Sequence, residues 1–167
     1  MSAKENILQR LRKNRYNSSV IEEAGTLPAR QMIRTPVDEF VVQAEISGAQ
    51  LVRCMSEADL EHTKAQYHTE NATIAESALA IAETGSVALR SIDHPSGAIY
   101  LCDHLVVCVA EGTIVRYLHE GLAKLKQPVS RAVHLMTGPS RTADVEQTIQ
   151  IGAHGPRQLT IVIYQDK

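Results

Sequence analysis

The densest run of reactive and ligand-binding side chains is Thr137-Gly138-Pro139-Ser140-Arg141-Thr142-Ala143-Asp144-Val145-Glu146. Ser140 and Thr142 offer hydroxyls, and Arg141 offers a planar fork that suits a carboxylate or phosphate. Asp144 and Glu146 have the chemistry to orient that arginine or to move a proton. Gly138 permits backbone conformations closed to other residues, and Pro139 stiffens the turn. The plainer reading is that Ser140, Thr142 and Asp144 cap a short helical turn. A second stretch, Gly152-Ala153-His154-Gly155-Pro156, sets an imidazole on a glycine-flanked turn. There His154 could serve as acid, base or anion donor, or simply bond a neighbouring carbonyl. The third, Glu83-Thr84-Gly85-Ser86, puts a carboxylate beside glycine at a predicted strand end. Glu83 is either a nucleophile or base, or a turn acid facing water.

Other reactive types are scattered. His62 and His68 lie six apart on a predicted helix and so face differently, while Asp93-His94 and Asp103-His104 are isolated pairs. No compact ligand set points to a metal. Cys54, Cys102 and Cys108 are odd in number and widely spaced. If Cys102 and Cys108 flank one strand, about 20 Å separates them, too far for a bridge. Cluster-type or zinc-type spacing is absent, and reduced thiols in a cytosolic protein are expected. Neither a P-loop nor Gly-x-Gly-x-x-Gly occurs, so a nucleotide cofactor has no motif support.

Short elements must position these stretches. Ala3 to Lys13 reads as a helix with Ile7, Leu8 and Leu11 in one stripe, and Arg15 to Thr35 as a linker or docking arm. Thr35-Pro36 opens a second helix that runs to about Ser47-Gly48, with a hydroxyl cap and proline at its first position. Gln50 to Met55 reads as a strand. Ser56 with Asp59 opens a helix to about Tyr67. Strands are expected near 72–75, 79–82, 86–90, 104–110, 131–136 and 159–164. Residues 104–110 are almost wholly apolar, as for a strand buried on both faces. Thr113 to Lys126 reads as a helix with Ile114, Val115, Leu118, Leu122 and Leu125 on one side. Gly121 inside it implies a close backbone contact. This alternation predicts an α/β fold, with a mostly parallel or mixed sheet and helices on both faces.

Composition agrees with one globular domain. The chain has 167 residues, 44% of them hydrophobic and 22% charged, which excludes disordered and fibrous classes. A chain this long buries roughly 70% of its unfolded surface without staples. The net charge of −2 conceals a +4 balance within residues 1–15. Nucleic-acid binding is not expected, because a chain with no Trp and one Phe lacks stacking platforms. No apolar run approaches the length of a membrane span, and the first residues lack a signal-peptide core. A cytoplasmic location is expected.

Three motifs in register carry a resemblance. Ala80-Ile81-Ala82-Glu83-Thr84-Gly85-Ser86, then Leu101-Cys102-Asp103-His104-Leu105-Val106-Val107, then residues 137–146 with 152–156 and an apolar last strand, are similar to the LUD domain family. Within it they most resemble the lactate utilization protein C group. The resemblance implies a Rossmann-like three-layer α/β/α fold of the NagB/RpiA/CoA-transferase-like kind, in a domain over 35–167 preceded by an N-terminal helix and arm over 1–34. It also implies an accessory role in oxidising L-lactate to pyruvate beside iron–sulfur partner proteins, with no cofactor in this chain. Cys102 stands where the family often has proline, and the stretch from Arg90 to Leu101 is short. In this reading Thr84, Gly85, Ser86, Gly138, Pro139, Ser140, Arg141, Thr142, Glu146 and Gly155 hold a small anionic ligand. Glu83, His154 and Asp144 are the candidates for catalysis. The alternatives are a stand-alone isomerase- or CoA-transferase-like enzyme, with Glu83 as nucleophile or base, and a purely structural module.

Overall fold

In the computed structural model, residues 35–69, 72–126, 129–143, 149–151 and 155–166 are described. The expected N-terminal helix and arm lie outside them. Helix α1 spans Pro36–Ile46, and Thr35 caps it by accepting the Asp38 N–H. Strand β1 is Gln50–Cys54 and helix α2 is Glu57–Thr69, with Ser56 Oγ accepting the Asp59 N–H. Then come β2 (Thr73–Glu76), β3 (Leu79–Ile81), β4 (Ser86–Arg90), α3 (Ser96–Leu101) and β5 (His104–Ala110). A 3₁₀ turn leads to β6 (Ile114–Val115) and α4 (Leu118–Lys124). The chain continues through β7 (Val133–Met136), β8 (Arg141–Ala143), β9 (Ile149–Ile151) and β10 (Gln158–Tyr164).

These strands form two main sheets. The first is wholly parallel, in the order β1-β10-β5-β2. Its central strands are buried on both faces, as near-continuous Leu, Val and Ile runs require. The second sheet runs β6-β3-β4-β7 and is mixed, because β3 and β4 form a hairpin and β7 pairs antiparallel to β4. β8 and β9 pair antiparallel as a third, two-stranded sheet. Helix α2 covers one face of the parallel sheet through Leu60, packed with Cys54, Val106, Cys108 and Val162. The other face meets α1 through Phe40 and Ala44, α3 through Ile99, and the second sheet through Val87 and Leu89. A mixed sheet therefore shares the layer that the sequence assigned to helices alone.

Most elements fall where the sequence places them, but the helix expected over 113–126 does not begin there. Ile114 and Val115 pair with Ala80 and Ile81 as an edge strand, and helix starts only at Leu118. Two consecutive β-branched residues beside an open strand edge gain ladder bonds and packing that a helix turn would not provide. The expected apolar face also shifts. Leu118 and Leu122 are exposed, and Gly121 is the buried residue of the helix. A Cβ on Gly121 would sit 3.2 Å from Leu79 Cδ1, which is the close approach its position implied.

Cys108, in the middle of β5, links this packing to pH. Burial is the main cause pushing its thiol from the ordinary 9.0 up to about 12, with Glu76 adding to it. The fold therefore holds the neutral thiol while the unfolded chain loses the proton from about pH 9 upward. Folding stability falls with rising pH across that window, between about 9 and 12. Replacing Cys108 with Val is expected to flatten this decline, read as the urea midpoint against pH for both proteins. Equal slopes would mean that the thiol does not contribute.

Candidate functional site

The turn after β3 and the end of β7 meet through their hydroxyls. Ser86 Oγ lies 2.7 Å from Thr84 Oγ1 and 2.6 Å from Thr137 Oγ1, a three-hydroxyl relay that joins positions 51 residues apart. Ser86 is buried, whereas Thr84 and Thr137 reach solvent. The sheet register brings this about. Val87 pairs with Met136, so the residues just before β4 and just after β7 come out at the same sheet end.

Two glycines seat these turns on one helix end. Gly85 has φ +66°, and a Cβ there would lie 2.4 Å from the Ala44 nitrogen of α1. Gly138 has φ +77°, and a Cβ there would lie 2.2 Å from the Ser47 carbonyl oxygen, one residue past α1. Each turn therefore requires a left-handed backbone and close approach together, and only glycine satisfies both. The next segment is also tied in. Ser140 N–H donates to the Pro156 carbonyl at 2.9 Å, and a Cβ on Gly155 would lie 3.2 Å from Ser140 Cβ. The structure thus brings Thr84, Gly85, Ser86 and Gly138 into one neighbourhood, and Pro139 connects it to the contact between Ser140 and Gly155.

Glu83 has a structural partner at the start of α4. Its Oε1 accepts the Leu118 N–H at 2.7 Å, while Glu120 takes the N–H groups of Arg116 and Tyr117. Together they satisfy donors that the start of α4 would otherwise leave open. Replacing Glu83 with Ala should cost about 1 kcal/mol, the usual effect of losing a cap. Glu83→Gln keeps an acceptor oxygen and should stay within about 0.5 kcal/mol of wild type. Urea denaturation of both variants measures the difference. Nearby, Arg116 pairs with Glu39 of α1, which ties the same helix to β6.

Arg141, Thr142 and Ala143 form β8, paired with β9, so a strand stands at 141–143 in place of the helical turn that the plainer reading expects. Asp144, Glu146, Gly152 and His154 lie outside the described residues. Ligands in open α/β sheets bind beyond the carboxyl ends of parallel strands, and β7 is an antiparallel edge. The carboxyl ends of β1 and β10 instead open on a cleft of about 800 Å³, lined among others by Met55, Leu60, Glu61, Lys64, Tyr164 and Asp166. Lys64 bonds Glu76 at 2.8 Å and Glu61 at 3.4 Å, and the Glu76 hydrogen bond is the main cause raising its pKa. Among the described residues that line it, Lys64 is the one lysine, and these carboxylates already hold it.

The remaining histidine and aspartate pairs have structural partners. Asp93 binds Arg90 at 2.6 Å, His94 Nε2 lies 3.0 Å from the Glu76 nitrogen, and His104 Nε2 lies 2.9 Å from Thr160 Oγ1. Among the described residues no three His, Cys, Asp or Glu side chains converge to hold a metal ion. Sequence reasoning passed over one cluster. His134 of β7 places Nε2 2.8 Å from Ser96 Oγ and Nδ1 3.1 Å from Tyr100 Oη. The only signal for it was the four-residue spacing of Ser96 and Tyr100, which puts both on one helix face.

Residues 2–164 match the LUD domain. The chain belongs to the LUD domain family. Lactate utilization protein C of Bacillus pumilus is 27% identical over 94 residues, 52% of this chain and 39% of that protein. Lactate utilization protein C of Deinococcus radiodurans is 32% identical over 111 residues, 64% of this chain and 51% of that protein. This LUD chain therefore spans between 39% and 51% of the length of these two relatives. A crystal structure of a DUF162 family protein from Deinococcus radiodurans matches with a TM-score of 0.60 at 20% identity. The match covers 77% of this chain and 96% of that one, and at such identity it shows the fold alone. Among the described residues of this LUD protein, no helix is long and apolar enough to cross a membrane.

Proposed function

We propose that this LUD protein is an accessory subunit of an L-lactate utilization system, in which L-lactate is oxidised to pyruvate beside iron–sulfur partner proteins. In this reading it binds a small anion and docks on such a partner without redox chemistry of its own. The observation that carries the ligand is the convergence of the 83–86 and 137–140 turns, with Ser86 Oγ bonded to Thr137 Oγ1 at 2.6 Å. Solvent-facing hydroxyls on glycine-held turns are pre-organised donors for a carboxylate, and Arg141 follows directly to supply charge. The names of the relatives support lactate as the setting. The wholly parallel sheet, with α2 on one face and α1 and α3 on the other, supports kinship with Rossmann-like three-layer folds of the isomerase and CoA-transferase kind.

Iron–sulfur clusters belong on the partners in this reading, because the described residues do not fit one. Cys54 and Cys108 are buried separately from Cys102, and a thiol pushed up to about 12 is a poor thiolate ligand. The test is thermal unfolding of wild type and Arg141→Ala with L-lactate, pyruvate, sugar phosphates and CoA esters. A ligand at a hundred times its Kd adds about 2.7 kcal/mol. A shift with one anion class that is lost in Arg141→Ala supports the reading. No shift with any anion, together with no association with cluster-bearing lactate utilization proteins, overturns it.

A further inference from the structure

The Ser96–His134–Tyr100 cluster lies outside the anion reading and has the arrangement of an activated nucleophile. Ser96 is the first residue of α3, one position past the cap. The capping position is Pro95, no side chain caps α3, and Ser96 Oγ meets His134 Nε2 at 2.8 Å. Tyr100, one turn further along α3, meets the other ring nitrogen at 3.1 Å and packs edge-on to the imidazole, with centroids 5.2 Å apart. The ring is thereby held at both nitrogens between two residues of one helix face. With the proton on Nδ1 donated to Tyr100 Oη, Nε2 is the acceptor for the serine hydroxyl. Nucleophile, base and base-orienting group stand within hydrogen-bond reach in sequence, which is the geometric signature of covalent catalysis. The cluster is accessible, since Tyr100 is 36% exposed and Ser96 and His134 are half-buried.

From this geometry we infer that Ser96 is a covalent acyl acceptor, with His134 as its general base and Tyr100 as the positioning residue, and that its substrates are acyl esters or thioesters. Ser96 Oγ adds to the acyl carbon as its proton passes to His134 Nε2. The bond from the acyl carbon to the leaving oxygen or sulfur breaks, and His134 returns the proton to that group. Water, deprotonated by the same nitrogen, then releases the carboxylic acid and restores the serine. No outside oxidant or reductant is involved. Glu83, the nucleophile that the transferase alternative required, already has one carboxylate oxygen on the Leu118 N–H at 2.7 Å.

A fluorophosphonate probe on the full chain tests this, with the adduct located by peptide mass spectrometry. On the wild type the adduct should map to Ser96, a result that does not depend on any variant folding. The labelling rate should fall about 100-fold in His134→Gly, the size of a general-base contribution, and recover on adding free imidazole. Tyr100→Phe should slow labelling in the wild-type background but not in imidazole-rescued His134→Gly. Ser96→Ala should abolish the adduct while the thermal midpoint stays close to wild type. Absence of an adduct at Ser96, or a rate that His134→Gly leaves unchanged, overturns the proposal. Neither result bears on the anion site at the 83–86 and 137–140 turns.

Discussion

Replacing Gly85 with Ala is expected to remove about 2–5 kcal/mol of stability. Two independent penalties make up this figure. A left-handed backbone costs a non-glycine residue about 1–2 kcal/mol, and Gly85 sits at φ +66°. The added methyl would also lie 2.4 Å from the Ala44 nitrogen and 2.5 Å from the Gln43 carbonyl carbon. Those are backbone atoms of α1, which cannot swing aside as a flexible side chain would. Forced overpacking of this kind typically costs about 1–3 kcal/mol. Gly138→Ala should behave alike, with its methyl 2.2 Å from the Ser47 carbonyl oxygen. Gly97 is the control. It lies in α3, where a Cβ would meet only Leu101 Cδ1 at 4.0 Å, so Gly97→Ala should be neutral or stabilising by up to about 1 kcal/mol. Urea midpoints at unchanged m report all three. If Gly85→Ala stayed within about 0.5 kcal/mol of wild type, the seating of this turn on α1 would be wrong. Because both glycines rest on the same helix end, either substitution should also weaken the anion binding proposed above.

Ile161→Ala is the second large effect, at about 3–4 kcal/mol. Ile161 lies in β10 between Leu51 of β1 and Val107 of β5, and none of its surface reaches solvent. It packs in the cluster that also holds Phe40, Leu89, Ile99 and Leu105, so truncation leaves a void bounded by both sheets and two helices. Surroundings of that kind collapse poorly, because each wall is itself part of a hydrogen-bonded element. Ile161→Val removes one methylene group and should cost about 0.5–1.5 kcal/mol. The pair of variants separates the cavity from the loss of β-branching, since valine keeps the branch. Equilibrium unfolding in urea gives both values. An alanine variant no weaker than the valine variant would contradict a close-packed core at this position.

Local pattern reveals elements here more readily than it reveals neighbours. Thr35-Pro36, Ser56 with Asp59, and the apolar run 104–110 each act within a few residues, and each leads to the expected cap or buried strand. Gly121 likewise signalled its close contact, since a glycine inside a helix is retained where a side chain would collide. The failure at 113–117 has a definite cause. Ile114 and Val115 fit the apolar stripe of a helix, but they pair with Ala80 and Ile81 on the open edge of β3, far back in the chain. Periodicity within a window does not register a distant edge.

The same division holds at the candidate site. The amino-acid sequence by itself determined that 83–86 and 137–140 are glycine-held, hydroxyl-bearing turns and that the chain has LUD-family motifs, because turn chemistry and motif order are written in consecutive residues. Only the tertiary structure decided that Ser86 bonds Thr137, that both turns rest on the end of α1, and that Glu83 caps α4. It also decided that His134 is held between Ser96 and Tyr100, and that the second sheet stands where helices were expected. The physical reason is common to all of these. Each depends on strand register and on which sheet edge a strand joins, and both are set by packing between segments far apart in the chain, which no local pattern specifies.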